Sequence, residues 1–316
     1  MVWLIGSKTL LGSEIARRLD ESRIEWTGSN SELDVSDVNH LCTYADSLDS
    51  SARMTGASVS RGRVPSKIDY VINCFSFYEL SSCTKENAQE ASENALNIGR
   101  TARRMAARLI HFSSSDVFDG KSPSPYLNNS PKSPFSVQGK AFSDAEDFIE
   151  KEMTQYYILR FSGLYGFEKE NYLHSLFMDF SKYPRIKLPY PAVMNPVSVT
   201  DAANAVVKIV ESSRKSSSLF GKNSALPYGV YNFGSSAPVT RADFARTFLA
   251  LCKKYSLIST DNVIEEVPAD ELPASEQRPE NACLDSGVLS SALKLKLPSW
   301  EESLNKFVKS GRLPKF

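Results

Sequence analysis

The stretch VWLIGSKTLLGSEIARRL at residues 2–19 constrains the fold of this chain more than any other. Val2 to Ile5 is a short apolar run of the kind a buried strand needs. Leu11 to Leu19 then repeats apolar residues at helical spacing, with arginines on the outer face. Gly6 and Gly12 stand six apart between the two. That is the place where a glycine-rich turn lets a pyrophosphate sit on a helix N-terminus. The same spacing also serves a tight strand-to-helix turn with no ligand. The middle position, where a third glycine would let the backbone approach phosphates, is Thr9, which makes the turn bulkier.

The same alternation continues. Strands are predicted at Ile24 to Thr27, Tyr70 to Cys74 and Arg108 to Phe112, with a further one in YYILRFSGLYG. Helices are predicted over Ala88 to Ala107 and Lys140 to Met153. Strand and helix in turn mean a parallel sheet wrapped on both faces, so the fold class is α/β, a Rossmann-type doubly wound sheet. Residues 45–66 are rich in Ser, Gly and Arg and read as an exposed excursion. Past residue 165 the texture changes. KYPRIKLPYPAVMNPVSVT is too proline-rich to form one helix. Helices follow at Ala202 to Val210 and Phe244 to Lys253, with the strand GVYNFG between, and two short helices close the chain. This divides the chain into a nucleotide-binding domain at 1–165 and a smaller C-terminal substrate lobe at 166–316. A later strand and helix, at about 197–235, return to the first domain.

Lys and Arg total 37 and Asp and Glu total 37 in 316 residues, a balance that offers nucleic acid or an anionic membrane no electrostatic footprint. Apolar runs such as YVINCF are too short to cross a bilayer, and MVWLIGS lacks the pattern of a secretory signal. Five scattered cysteines without a C-x-x-C pair, and three isolated histidines, give neither a disulfide framework nor a metal spacing. The reading is a cytoplasmic protein with reduced thiols and no metal.

Several motifs in order then resemble one family over nearly the whole length, the dTDP-4-dehydrorhamnose reductases among the extended short-chain dehydrogenase/reductases. ELDVSD at 32–37 is similar to the leucine-aspartate-valine-x-aspartate segment after that family's second helix. NCFSFYELSSCTKENAQEASENA keeps its spacing to an Asn94–Ala95 pair. HFSSSDVFDGKSPSPY, ILRFSGLYG, LPASEQRPENACLD and LPSWEESL resemble the later signatures. The resemblance implies NADP or NAD as cofactor. It places the cofactor contacts at Gly6, Thr9, Leu10, Leu11, Asp34, Val35, Cys74, Phe75, Ser76, Asn94 and Ser113. It implies a sugar-nucleotide substrate near Ser114, Ser115, Asp116, Gly163 and Arg278. No acid ends TGSN to hold a ribose diol, which leaves NADP as open as NAD. Phe75, Phe77 and Tyr78 either fill the adenine and ribose space or are core aromatics at a strand end.

The family reduces a 4-keto sugar nucleotide with a nicotinamide hydride. A tyrosine donates the proton, a lysine four residues on lowers its pKa and holds the ribose, and a Ser or Thr polarises the carbonyl. The Ser/Thr position is Ser114, but the tyrosine and lysine positions are Gln138 and Phe142, in FSVQGKAFS. Glu146 still matches, so the register holds. The acid and aromatic after Ser114 are replaced by Ser115 and Asp116, and an expected tryptophan by Gly163. Tyr183 and Lys187 have the right spacing but lie in the second lobe, and Lys140 would point away from the lysine position. A positioned general acid contributes about 10²- to 10⁴-fold, roughly 3–5 kcal/mol of barrier. Three functions follow: a silent relative kept for binding or regulation, an active keto-sugar reductase with an unusual acid, or a structural subunit with no ligand. The regulatory subunit of methionine adenosyltransferase, which resembles these reductases too, is a precedent for the first. A protein partner or a homodimer would serve it.

Overall fold

Val2–Ile5 forms β1, buried along its length as an apolar run at the centre of a parallel sheet must be. Helix α1 (Leu10–Glu21) follows, and Thr9 caps it, its side chain accepting the Gly12 amide. The structure, a computed structural model, describes residues 1–55, 67–75, 84–166, 171–216, 226–273 and 278–310. In order, the chain continues with β2 (Trp26–Ser29), α2 (Val38–Thr55), β3 (Tyr70–Asn73), α3 (Lys85–Arg104), β4 (Arg108–Ser114), α4 (Val137–Glu152) and β5 (Tyr156–Phe161). The second half adds β6 (Leu164–Tyr165), α5 (Tyr172–Lys182), β7 (Arg185–Tyr190), β8 (Val193–Met194), β9 (Val197–Ser198), α6 (Val199–Ser216) and β10 (Gly229–Phe233). It ends with β11 (Val239–Thr240), α7 (Arg241–Lys254), β12 (Val263–Pro268), α8 (Gly287–Leu293) and α9 (Trp300–Lys309).

Six strands form one parallel sheet in the order β10-β5-β4-β3-β1-β2. The order reverses beside β1, which is the doubly wound pattern, with its crevice beyond the strands' carboxyl ends. Two cores cover the two faces. Ile15 and Leu19 of α1 meet Ala202, Val206 and Ile209 of α6 on one side. Leu41 of α2, Ile98 and Ala102 of α3 and Ile149 of α4 cover the other. Each such fully buried Leu, Ile or Val side chain contributes about 1.5–3 kcal/mol. A third core joins Tyr165, Phe177 of α5, Phe244 and Phe248 of α7 and Trp300 of α9 over the C-terminal half. β10 hydrogen-bonds beside β5, so residues far along the chain complete the sheet.

Three local readings change. Residues 45–55 of the expected excursion belong to α2, and residues 56–66 lie outside the described residues. The polar composition hid the helical period of Leu41 and Ala45, both fully buried. The second strand runs over Trp26–Ser29 and not Ile24 to Thr27, because Ile24 donates its amide to Leu19 O in the turn that ends α1. Helix α4 starts at Val137 and not Lys140, because Ser136 caps it by accepting the Gly139 amide at 2.9 Å. Gln138 therefore sits in the first turn of that helix. Among the described residues no helix is long and apolar enough to cross a membrane.

Candidate functional site

The glycine turn is built from Gly6 and Gly12. Gly6 has φ +80°, a left-handed conformation open to glycine, and a Cβ on Gly12 would lie 2.0 Å from Gly6 O. Thr9 completes the turn from within: its hydroxyl donates to Gly6 O at 2.8 Å and accepts the Gly12 amide at 3.1 Å. The residue after β2 closes it from outside. Asn30 Oδ1 accepts the Lys8 amide at 2.7 Å, and Asn30 Nδ2 donates to Ser7 Oγ at 3.0 Å. The Gly6 and Ser7 amides both donate to Ser29 O. The amides of Gly6, Ser7, Lys8 and Gly12 are thus all engaged inside the protein. Leu10 and Leu11 are buried at the start of α1.

β3 delivers the next wall. The Cys74 amide donates to Ile5 O, and the Phe75 amide to Asn73 Oδ1. The Cys74–Phe75 backbone lies 3.1 Å from where a Gly6 Cβ would be, so these two segments meet. Phe75 is partly buried and packs against the α2–α3 face of the sheet. Ser76, Phe77 and Tyr78 lie outside the described residues. Asp34 is exposed, and the Ser36 hydroxyl and amide hold its carboxyl below the usual carboxylate range. The Val35 carbonyl accepts from Asn97 of α3, and Asn94 is half-buried on the same helix. Val35 packs against the core on the α2–α3 face of the sheet.

β4 and α4 bring the expected catalytic positions together. Ser114 ends β4 and is buried; its hydroxyl accepts the Asp116 amide at 3.2 Å and opens a single 3-10 turn, Ser115–Val117. Ser115 is buried and Asp116 half-buried. A Cβ on Gly139 would sit 2.1 Å from Asp116 O, so only glycine lets the first turn of α4 press onto this loop. Gln138 is half-buried beside it. Phe142 is fully buried in an apolar cluster with Ala88, Val117, Phe118, Tyr126, Ala141 and Leu284. Tyr183 and Lys187 are both exposed, Tyr183 at the end of α5 and Lys187 on β7. Lys140 is exposed and ion-pairs with Asp144.

One turn past Phe142, Glu146 is fully buried. Arg160 of β5 donates to both its oxygens, at 2.8 and 2.6 Å, Ser113 donates at 2.6 Å, and Lys132 approaches to 3.3 Å. Burial would raise the Glu146 carboxyl, but the Arg160 bonds outweigh it and hold it below the ordinary range. Ser113 is therefore bonded to Glu146. His111, on the same strand, has its Nδ1 3.2 Å from Asn73 Nδ2, and burial pushes it down to about 4, so it is neutral at pH 7. The sequence offered Glu146 only as a register mark; the Arg160 and Lys132 partners and the Asn30 closure went unseen.

The segments expected to face a substrate form a seam. Gly120 (φ +74°) packs on Pro279, the Asn281 amide donates to Gly120 O, and Asn281 Nδ2 donates to Ser122 O and Ser124 O. Tyr126 exchanges backbone bonds with Cys283 and Asp285. The VFDG and RPEN segments are thus each other's packing partners. Arg278 is exposed at the edge of this seam. Gly163 has φ +60°, and a Cβ there would lie 2.9 Å from Met194 Sδ, a place closed to a tryptophan side chain. Chemically, the group offers serine hydroxyls and an amide, but neither a phenol nor an ammonium at the helix positions.

Comparison with known proteins agrees with this architecture. The family model described as RmlD substrate binding domain matches residues 1–313. A dTDP-4-dehydrorhamnose reductase of Sinorhizobium fredii is 24% identical over 304 residues, covering 90% of this chain and 96% of the relative. Among solved structures, a dTDP-4-dehydrorhamnose reductase of Clostridium acetobutylicum superposes with TM-score 0.80 at 21% identity, covering 99% of each chain. One from Bacillus anthracis, in complex with NADP, gives TM-score 0.79 at 18% identity, covering 98% of each chain.

Proposed function

The chain belongs to the RmlD substrate binding domain family, and from that premise we propose that it is a catalytically silent member. On this reading it keeps a sugar-nucleotide reductase fold for binding or regulation. The observation that carries the proposal is Phe142, fully buried in an apolar cluster at the position where the family places its lysine. An ammonium there would lose its hydration with no partner among the cluster residues. Gln138, one turn earlier, has an amide that can hydrogen-bond a carbonyl but cannot protonate an alkoxide.

The cofactor site supports the same reading. The B. anthracis relative was solved with NADP, and by resemblance the ligand here is NADP or NAD. Yet the Lys8 and Gly12 amides are engaged by Asn30 and Thr9, and a pyrophosphate would have to displace them. Each displaced bond costs about 0.5–1.5 kcal/mol, so binding is weak. The division into a nucleotide-binding part at 1–165, completed by β10, and a substrate lobe at 166–316 belongs to this proposal. So do a sugar nucleotide held near Ser114, Ser115, Asp116, Gly163 and Arg278, a cytoplasmic location, and a protein partner or second copy as the target of regulation.

A second reading, an active NAD(P)H-dependent keto-sugar nucleotide reductase, is favoured by Ser114, whose hydroxyl still has a proton to donate. One assay separates the two. Purified protein is given dTDP-4-dehydro-6-deoxy-L-mannose with NADPH or NADH, and oxidation of the cofactor is followed. The silent reading expects no rate above background. Turnover in the ordinary enzymatic range, about 1–10³ per second, sinks it and assigns proton delivery to Ser114 or water.

A further inference from the structure

The base of the sheet, at the opposite end from the glycine turn, holds a cavity of about 240 Å³. It lies where β1, β3 and β4 begin, beside α6, and about 13 Å of extended β1 separates it from Gly6. Val2, Ile24, Tyr70 and Val210 give it apolar walls, and all four are buried. Arg108 is out of keeping with them. It opens β4 in register with Tyr70. Two and four residues further along that strand, Ile110 and Phe112 enter the core on the α1–α6 face, and alternation puts Arg108 on the same face. Its Cζ lies 5.3 Å from the centre of the Tyr70 ring, and its Nε donates to Tyr228 Oη at 3.1 Å. Among the described residues neither Nη has a hydrogen-bond partner, and no carboxylate pairs with the guanidinium. The other charges at the cavity cancel, since the Met1 amine donates to Asp69 Oδ2 at 3.0 Å.

The surroundings of Arg108 are held in place. The Tyr157 and Tyr231 hydroxyls donate to Leu226 O and Pro227 O, at 2.9 and 2.6 Å, and so anchor the segment that carries Tyr228. The Tyr70 hydroxyl is bonded to Ser213 of α6. A guanidinium fixed among phenols, with the outer fork of its two Nη groups unpaired, matches a planar anion. One unmatched positive charge calls for one negative charge, and apolar walls call for an apolar body. Benzene fills an engineered cavity of about 150 Å³, so this one has room for a carboxylate with a chain of about six carbons. We propose that the cavity binds a small aliphatic monocarboxylate, its two oxygens on the Nη groups of Arg108 and its chain against Val2, Ile24 and Val210. No residue of the glycine turn or of α4 contributes to this site, so it is independent of whether the cleft is silent.

Titration calorimetry of the purified full chain with butanoate, pentanoate and hexanoate tests this. One molecule per chain is expected, with affinity rising about threefold or more for each added methylene. Hexan-1-ol carries the same chain without the charge and is expected to bind about tenfold or more weakly than hexanoate. Inorganic phosphate, an anion without the chain, is expected not to displace hexanoate. Arg108→Met keeps a side chain of similar reach over Tyr70 and is expected to weaken hexanoate by about tenfold or more. Arg108→Lys, which keeps the charge but not the fork, is expected to fall between the two. Circular dichroism checks the fold of both variants, and the hexanoate–hexanol comparison needs no variant at all. The proposal is overturned if none of the three carboxylates binds, or if hexanol binds as tightly as hexanoate. It is overturned equally if a folded Arg108→Met binds hexanoate like the wild type. Displacement by phosphate at the concentrations at which hexanoate binds would show a general anion site and overturn the assignment to a carboxylate.

Discussion

Phe142 and Glu146 lie one helical turn apart on the same face of α4, both fully buried, and yet one is an aromatic ring and the other a carboxylate. The difference is where the partner comes from. Glu146 is matched within the chain, by two bonds from Arg160, one from Ser113 and the approach of Lys132. A buried charge so paired is tolerated, and neither half can be lost alone. A lysine at 142 would find its partner in a ligand, the ribose of a bound cofactor. In a chain that does not hold that ligand, the charge is a liability and an apolar ring filling the same space is the stable solution. On the proposed silent reading, the helix keeps its internal ion pair and does without an external one.

The sharpest break of this contrast is on the ionic side. Arg160→Met leaves Glu146 buried without its main partner and is expected to cost about 3–5 kcal/mol. At about 2–4 °C per kcal/mol, calorimetry should show a fall of at least about 6 °C in Tm. The pH dependence has a definite sign. In the wild type the folded carboxyl is lowered, so its contribution is present above the unfolded value of about 4.3 and is lost as pH falls through the folded one. In Arg160→Met, burial raises the carboxyl, so acidification relieves the variant. The stability gap between the two proteins should therefore narrow from pH 7 towards pH 4. Glu146→Leu with Arg160→Met, which removes both charges, should recover most of the loss. A gap that is flat with pH would mean the pair contributes packing alone.

Next comes the ring. Phe142→Lys, the change that on the proposed reading rebuilds the family residue, is expected to cost about 3 kcal/mol or more, because an ammonium replaces an aromatic in a closed apolar cluster. Its folded pKa would be depressed, so the deficit is full at pH 7 and shrinks as pH rises towards 10, opposite in sense to Arg160→Met. Phe142→Leu should cost less than about 1.5 kcal/mol. The structure also bears on restoring activity. Gln138→Tyr with Phe142→Lys supplies acid and ammonium, but the lysine must first be stabilised by a bound dinucleotide. If that double variant is as stable as the wild type without cofactor, the position opens to the cleft and the contrast fails.

How much of this was legible in the sequence follows from the kind of signal each feature carries. The parallel sheet was readable because Val2–Ile5, Tyr70–Asn73 and Arg108–Ser114 are apolar runs spaced by helices, and local pattern and fold agree there. The assignment of Gln138 and Phe142 to the family's tyrosine and lysine positions rests on motif spacing alone and belongs to the proposal. Helix α2 was not readable, since the Asp and Ser residues that follow its buried Leu41 and Ala45 mask the period. That Phe142 faces a closed cluster, and that Arg160 reaches Glu146, are contacts between β5, the 117–126 loop and α4, which no local pattern encodes. Asn30 was noted for lacking an acid. What it does instead, binding back onto residues 7 and 8, depends on how β2 ends against β1.

That closure gives the smallest expected effect on stability and the most informative one on ligand binding. Asn30→Ala removes the acceptor of the Lys8 amide and the donor to Ser7. The turn is at the surface, where water can replace both, so the cost should be only about 0.5–1.5 kcal/mol. The freed amide, at the mouth of a helix N-terminus, then becomes available to an anion. Titrations of NADPH and NADH against wild type and variant, followed by calorimetry, should show weak or undetectable binding to the first and a several-fold gain in the second. Thr9→Gly added to Asn30→Ala should extend the gain, because a Thr→Gly change at a helix cap costs only a few tenths of a kcal/mol and clears the methyl group from the turn. Tight binding by the wild type would mean that Asn30 swings aside at little cost, and the silent reading would then rest on Gln138 and Phe142 alone. No gain in either variant would place the obstruction at Phe75, whose backbone stands beside the Gly6 turn, whatever the turn can offer to the phosphates.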